Sequence, residues 1–125
     1  MVKDNLLYTE THEWIEVLGD EAVIGITDYA QHELGDIVYV ELPEIEDEIS
    51  KGEGFGSIEA VKAVEDIIAP LSGEVIAINE DLEDAPETIN NDAFGDGWIM
   101  KIRISDKDEL EDLLTAEQYS QLIKG

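Results

Sequence analysis

Residues Gly54-Phe55-Gly56-Ser57-Ile58-Glu59-Ala60-Val61-Lys62-Ala63-Val64-Glu65-Asp66-Ile67-Ile68-Ala69-Pro70 decide the fold of this chain. The runs Gly54 to Ala60 and Ile67-Ile68-Ala69 carry the β-branched and small residues of strands, and Pro70 sits where a strand should stop. Between them small residues flank Lys62, so its ammonium should project from a hairpin tip at 60–64. Gly52, Gly54 and Gly56 lack the Lys-Ser/Thr of a phosphate loop and the spacing of a dinucleotide fingerprint. They read instead as strand glycines that permit close packing.

The same punctuation extends in both directions. Trp14 to Val17, Ala22 to Ile26, Ile37 to Val40 and Glu74 to Ile78 are short β-rich runs, separated by the turn dipeptides Gly19-Asp20, Gly35-Asp36, Lys51-Gly52 and Ser72-Gly73. Strands at this spacing predict a sandwich or barrel. Thr27 to Leu34 reads as a short helix near 28–34, with Thr27 able to cap it and Gly35 able to close it in the left-handed region. After a last strand from Trp98 to Ile104 the period changes: Leu110, Leu113 and Leu114, then Tyr119, Leu122 and Ile123, recur at helical spacing. The capping-box patterns Ser105-x-x-Asp108 and Thr115-x-x-Gln118 predict two short C-terminal helices over about 106–124. No Pro-rich or Gly/Ser-rich linker interrupts the chain, so residues 1–125 are expected to form a single domain.

Seven basic against 32 acidic residues leave a formal charge of −25. Such a surface repels phosphate backbones and anionic headgroups, so neither nucleic acid nor a membrane is an expected partner; basic proteins and cationic ligands are. Solubility is the plain alternative use of the same charge. The absence of cysteine removes disulfides, thiolate metal sites and cysteine nucleophiles, and fits a reducing compartment. No apolar run reaches membrane-spanning length, and Met1 to Leu6 carries neither a signal nor a transit pattern. The expected location is a bacterial cytoplasm, with the mature form of a mitochondrial matrix protein as the alternative.

Enzyme readings fail for lack of parts. Neither Ser57 nor Ser72 lies in a nucleophile elbow, and His12 and His32 form no His-Glu-x-x-His pair, so no metal is expected. Asn90 to Gly97 places Phe94 where a calcium loop would need an oxygen, which leaves a structural turn. Trp14 and Trp98 read as packing residues and His12 as a hydrogen-bonded structural histidine. On the residues alone Lys62 reads more readily as an ordinary solvated turn lysine than as a functional one.

Its context supplies a resemblance. Gly35-Asp36-Ile37-Val38-Tyr39-Val40-Glu41-Leu42-Pro43, Lys51-Gly52, Gly56 to Ala63 and Ala69-Pro70-Leu71-Ser72-Gly73-Glu74-Val75 strongly resemble the H protein family of the glycine cleavage system. Thr11-His12-Glu13-Trp14, Gly25 to Gln31, Ile89-Asn90, Gly97-Trp98 and the helical ending with Leu113-Leu114 extend the resemblance from about Tyr8 to the C-terminus. It implies a mostly β, lipoyl-type fold (a barrel-sandwich hybrid) in which two antiparallel sheets face each other. It also implies a non-catalytic carrier for glycine catabolism and one-carbon metabolism, with lipoate attached covalently to Lys62; the economy of the chain points separately to a monomer. The implied partners are a pyridoxal-phosphate glycine decarboxylase, a tetrahydrofolate-dependent aminomethyltransferase, a dihydrolipoyl dehydrogenase and a lipoylating enzyme.

By the same resemblance Thr11, Glu13 and Asp66 would dock the cationic end of the loaded arm. Glu59, Val61 and Ala63 would support the hairpin, with Gly52 and Gly73 setting its flanking turns. A histidine that some relatives carry near the cleft falls at Glu33, next to His32, so its role is not transferred. Ala60 stands where serine is usual and Ala93 where proline is common. A biotin carrier is a weaker alternative because Val61 and Ala63, not methionines, flank the lysine. A related carrier that only relays lipoate is a second, and a lipoyl domain of a 2-oxoacid dehydrogenase is a third, disfavoured because such domains are shorter and continue into flexible linkers.

Overall fold

The β-branched runs pair into two antiparallel sheets that close on one apolar interior. A computed structural model describes residues 3–124; Met1, Val2 and Gly125 lie outside the described residues. Strands β1 (Leu7–Tyr8), β2 (Glu13–Leu18), β3 (Glu21–Ile26), β9 (Met100–Ile104), β8 (Gly73–Ile78) and β5 (Glu48–Ile49) lie side by side in that order. Strands β4 (Ile37–Glu41), β6 (Gly54–Ala60) and β7 (Val64–Ile68) form a second sheet in the order β4-β6-β7. Every pairing is antiparallel. The mostly β, two-sheet architecture expected from the sequence is the one observed.

The two sheets meet through alternate side chains. Ile15, Ile24, Val75 and Ile102 from the larger sheet and Val40, Ile58 and Ile67 from the smaller belong to one buried cluster. Burying a branched aliphatic side chain contributes about 1.5–3 kcal/mol, so these residues set which way each strand faces. A second cluster, with Leu6, Tyr8, Trp14 and Ala116, sits around Tyr119 on the C-terminal helix. There Tyr8 and Tyr119 stack with centroids 4.6 Å apart. Trp14 is buried, its Nε1–H donating to the Ala93 carbonyl at 2.9 Å, whereas Trp98 is half-buried.

Helix α1 (Asp28–Leu34) ends as its sequence predicts: Thr27 Oγ1 accepts the Ala30 N–H, and Gly35 at φ +82° donates its N–H to the Gln31 carbonyl. The Thr115 and Gln118 capping box is reciprocal, each side chain accepting the other's backbone N–H at the start of α4 (Ala116–Lys124).

Elsewhere the structure departs from expectation. The first C-terminal helix is a 3₁₀ segment, Lys107–Asp112, capped by Asp106 instead of Ser105. The second hairpin strand begins at Val64, three residues before the apolar run that signals it, because pairing with β6 extends through Glu65 and Asp66. The four-residue helices α2 (Asp81–Asp84) and α3 (Thr88–Asn91) and the two-residue strand β5 have no periodic signal of their own.

Gly73 is not a turn glycine. It begins β8, where a Cβ would lie 2.3 Å from the Arg103 carbonyl oxygen of β9. Gly52, by contrast, does adopt φ +87° in the turn before β6. Among the described residues no helix is long and apolar enough to cross a membrane. Because backbone would have to move to admit a methyl group at position 73, Gly73→Ala should destabilise the fold by about 1–3 kcal/mol in urea unfolding. A wild-type midpoint would show that β8 and β9 are not held at this separation.

Candidate functional site

The link between β6 and β7 is a turn braced from two sides. The Ala60 N–H donates to the Ala63 carbonyl at 2.8 Å, and the Val61 N–H donates to the Asp36 carbonyl at 3.0 Å. Ala63 packs on the main core, whereas Val61, Lys62 and Glu59 are exposed. At the other end of the hairpin the Gly52 N–H donates to the Ala69 carbonyl and the Ala69 N–H to the Glu53 carbonyl. The Lys62 stem runs beside Gly35, where an added Cβ would come within 3.5 Å of its Cε. Ion pairs among the described residues use Lys51, Lys101, Arg103 and Lys107, which leaves the Lys62 ammonium without one.

Asn90 of α3 fixes the segment under that stem. Its Nδ2 donates to Gln31 Oε1 and to the Gly35 carbonyl, and its Oδ1 accepts the Ile37 N–H, each at 2.9 Å. One amide therefore joins the end of α1, the start of β4 and, through Asp36, the lysine turn.

Alongside the hairpin runs a cleft of about 630 Å³, lined by Thr11, Glu13, Tyr29, Glu33, Val64 and Asp66 among others. Glu13 lies at its inner end, only 2% exposed. The chain reaches it through a tight turn in which His12 adopts φ +70° and donates its N–H to the Thr9 carbonyl. That turn brings Thr9 and Thr11 onto one carboxyl oxygen: both hydroxyls donate to Glu13 Oε1, at 2.6 and 2.5 Å. The Ile68 backbone N–H, on the other sheet, also favours the ionised carboxyl. Burial nonetheless outweighs these donors and pushes the carboxyl up from the ordinary range to about 7.

His12 meets Tyr119 on its other face. The Tyr119 hydroxyl lies 2.8 Å from His12 Nδ1 and 2.7 Å from Thr27 Oγ1, connecting α4, the cleft turn and the cap of α1. Burial lowers the His12 pKa, opposed by the charge of Glu33, and burial raises Tyr119 to about 12. The histidine is a hydrogen-bonded structural element, as its sequence context suggests.

The three residues singled out for the cleft are not equivalent. Thr11 and Glu13 are directly bonded, whereas Asp66 lines the cleft from exposed positions on β7, opposite Ser57 and beside Gly54. Among the described residues no hydrogen bond joins Asp66 to Thr11 or Glu13. Glu33 faces the cleft and His32 does not line it. Sequence reasoning missed the roles of Thr9, Asn90 and Tyr119. The alternation Thr9-x-Thr11-x-Glu13 was the available signal for the first; Asn90 stood out only within the Ile89-Asn90 match and Tyr119 only as an apolar position of the C-terminal helix, and neither signal points to its hydrogen bonds.

A lysine on a braced hairpin, beside a cleft whose inner end is a buried carboxyl, is the arrangement of a swinging-arm carrier domain. The family model described as Glycine cleavage H-protein matches residues 6–125. Curated glycine cleavage system H proteins from Halothermothrix orenii and Staphylococcus carnosus are each 52% identical to the chain. The alignments cover 98% of this chain and 96% and 97% of those proteins, respectively. The crystal structure of a glycine cleavage system H protein from Mycobacterium marinum superposes with a TM-score of 0.90 at 36% identity, over 99% of this chain and 100% of that one. The chain belongs to the glycine cleavage H-protein family. As a member it is a carrier component of the glycine cleavage system, not a catalyst.

The Glu13 environment makes stability depend on pH. Folded, the carboxyl holds its proton up to about pH 7; unfolded, it releases it in the ordinary carboxylate range. Its contribution is therefore complete in acid and is lost as pH rises through 7. Glu13→Gln should match wild type near pH 5 and exceed it by about 2–3 kcal/mol at pH 8 in urea unfolding. Parallel stability profiles across that interval would contradict the assignment.

Proposed function

We propose that Lys62 is the lipoyl attachment site and that the adjoining cleft receives the cationic end of the loaded arm. The observation that carries this reading is the pairing of an exposed lysine, without an ion pair among the described residues, on a hydrogen-bonded tip with a cleft that leads to a buried, hydroxyl-bonded carboxyl. Acylation removes the lysine charge, and the attached dithiolane supplies reversible disulfide chemistry and group transfer. In this reading the chain, as one monomeric carrier domain, takes an aminomethyl group from glycine decarboxylase and delivers it to the aminomethyltransferase. Dihydrolipoyl dehydrogenase then restores the disulfide.

The residues fit such an arm. A cleft of about 630 Å³ falls in the range of small-molecule sites. Val64, Tyr29 and Ile26 offer apolar wall to the arm's carbons, and Thr11 and Glu13 offer acceptors to an ammonium group. Glu13 is about half protonated near neutral pH, and a cation at hydrogen-bond distance favours its ionised form, so docking drives the remaining proton to solvent. Each charge-assisted hydrogen bond formed there contributes about 1.5–3 kcal/mol before desolvation. The cleft is also the place where water is kept from a hydrolysable cargo. Outside it, the remaining acidic surface steers basic partner faces, an effect that weakens with salt.

Incubation of the unmodified chain with lipoate, ATP and a lipoate ligase should add one lipoyl mass, located on the peptide that contains Lys62. Lys62→Arg should gain none. Modification at Lys51 or Lys107, or persistent labelling of Lys62→Arg, would overturn the assignment.

A further inference from the structure

Ile37-Val38-Tyr39-Val40 reads in sequence as one continuous buried strand, yet its pairing slips. Ile37 faces Ala60 and Tyr39 faces Glu59, so Val38 is an extra residue between consecutive β6 partners and β4 carries a bulge. A regular strand would alternate its side chains and bury one of the two apolar residues. Instead Ile37 and Val40 are buried while Val38 is 51% and Tyr39 53% exposed. Bulges of this kind re-aim side chains and recur beside functional sites.

The bulge lies next to the lysine turn. Asp36, immediately before β4, holds the Val61 N–H, and Glu59 lies between Tyr39 on one side and Val64 on the other. Val61 and Val64 are 72% and 63% exposed. Four apolar side chains are thus displayed around Lys62, among the exposed carboxylates Asp36, Glu41, Glu59 and Glu65. Exposed apolar groups set among charged side chains, here with Glu59 between Tyr39 and Val64, have the make-up of an interaction surface.

We propose that Val38, Tyr39, Val61 and Val64 form the docking surface for the enzyme that acylates Lys62, whose complementary face is an apolar socket rimmed by lysine and arginine. The inference rests on the reading of Lys62 as the attachment site. An acylating enzyme must bring its reacting centre to the ε-amine itself, so it is confined to the tip and the strands beside it. Enzymes that act at the far end of a long arm escape that constraint. In the step served, the neutral ε-amine attacks the carbonyl carbon of a lipoyl adenylate. The amide C–N bond forms, the C–O bond to the leaving phosphate breaks, and the amine gives one proton to solvent. The acidic rim supplies complementarity to the basic socket, and the bulged pair supplies desolvated contact at its centre.

The test compares purified unmodified chains as substrates of a lipoate ligase with lipoate and ATP. Tyr39→Ser and Val38→Ser should each lower kcat/KM by about tenfold or more, chiefly through KM, with an unchanged melting temperature. Ile45→Ser, equally exposed at 52% but in the loop after β4, should leave kcat/KM unchanged. In the Lys62→Gln background, which offers no amine to acylate, Tyr39→Ser should weaken binding to the ligase by the same factor. Wild-type kinetics for both bulge variants, or an equal loss in Ile45→Ser, would overturn the surface while leaving Lys62 as the modified residue. A wild-type dimer in sedimentation that Tyr39→Ser disperses would assign the patch to self-association instead. Failure of the wild-type chain to be modified at all would overturn both readings.

Discussion

Burial of Ile58 and Ile67 on the inner face of the smaller sheet is the constraint from which the rest of the molecule follows. Those two side chains commit β6 and β7 to one face and one register, so the turn between them must leave the sheet at a fixed place. The Asp36 carbonyl then holds the turn against the start of β4, and Asn90 holds that start against α1 and α3. A charged side chain carried on this frame loses little further backbone freedom when a partner engages it. That is the advantage of a hairpin tip over a loose loop for presenting a single reactive amine.

The same frame explains why one carboxyl among 32 acidic residues differs from the others. Glu13 leaves the large sheet where the edge of β7 passes, and the two sheets together exclude water from it. Two hydroxyls and a backbone N–H soften that exclusion without offsetting it. The result is a group poised near neutrality, able to receive a cation by giving up a proton. Tyr119 extends the arrangement to the C-terminal helix, since its hydroxyl touches both His12 and Thr27. The helices are therefore structural parts of the cleft as well as coverings of the sheets.

Much of this was legible in the chain. The β-branched runs between turn dipeptides marked the principal strands, Thr27 and Gly35 marked both ends of α1, and Thr115 with Gln118 marked the start of α4. What escaped is local structure too short to show a period, such as β5, α2 and α3, or structure imposed by a neighbour. Glu13 looks like any other acid until the sheet opposite is in place. The bulge at Val38 is likewise invisible because Ile-Val-Tyr-Val suits a buried strand, and only the mismatch with β6 turns two of its residues outward. Gly73 is conformationally unremarkable by itself; its requirement comes from the carbonyl of Arg103.

The central claim is that the lysine arm and the Glu13 cleft act as one device, and the most direct measurement is the rate at which amine leaves the loaded carrier at fixed pH. If the cleft shields and binds the cargo, replacing Glu13 with glutamine removes a charge-assisted bond, and release should accelerate by about tenfold or more. Release at the wild-type rate would contradict it, leaving Lys62 as an arm that swings free of the cleft beside it.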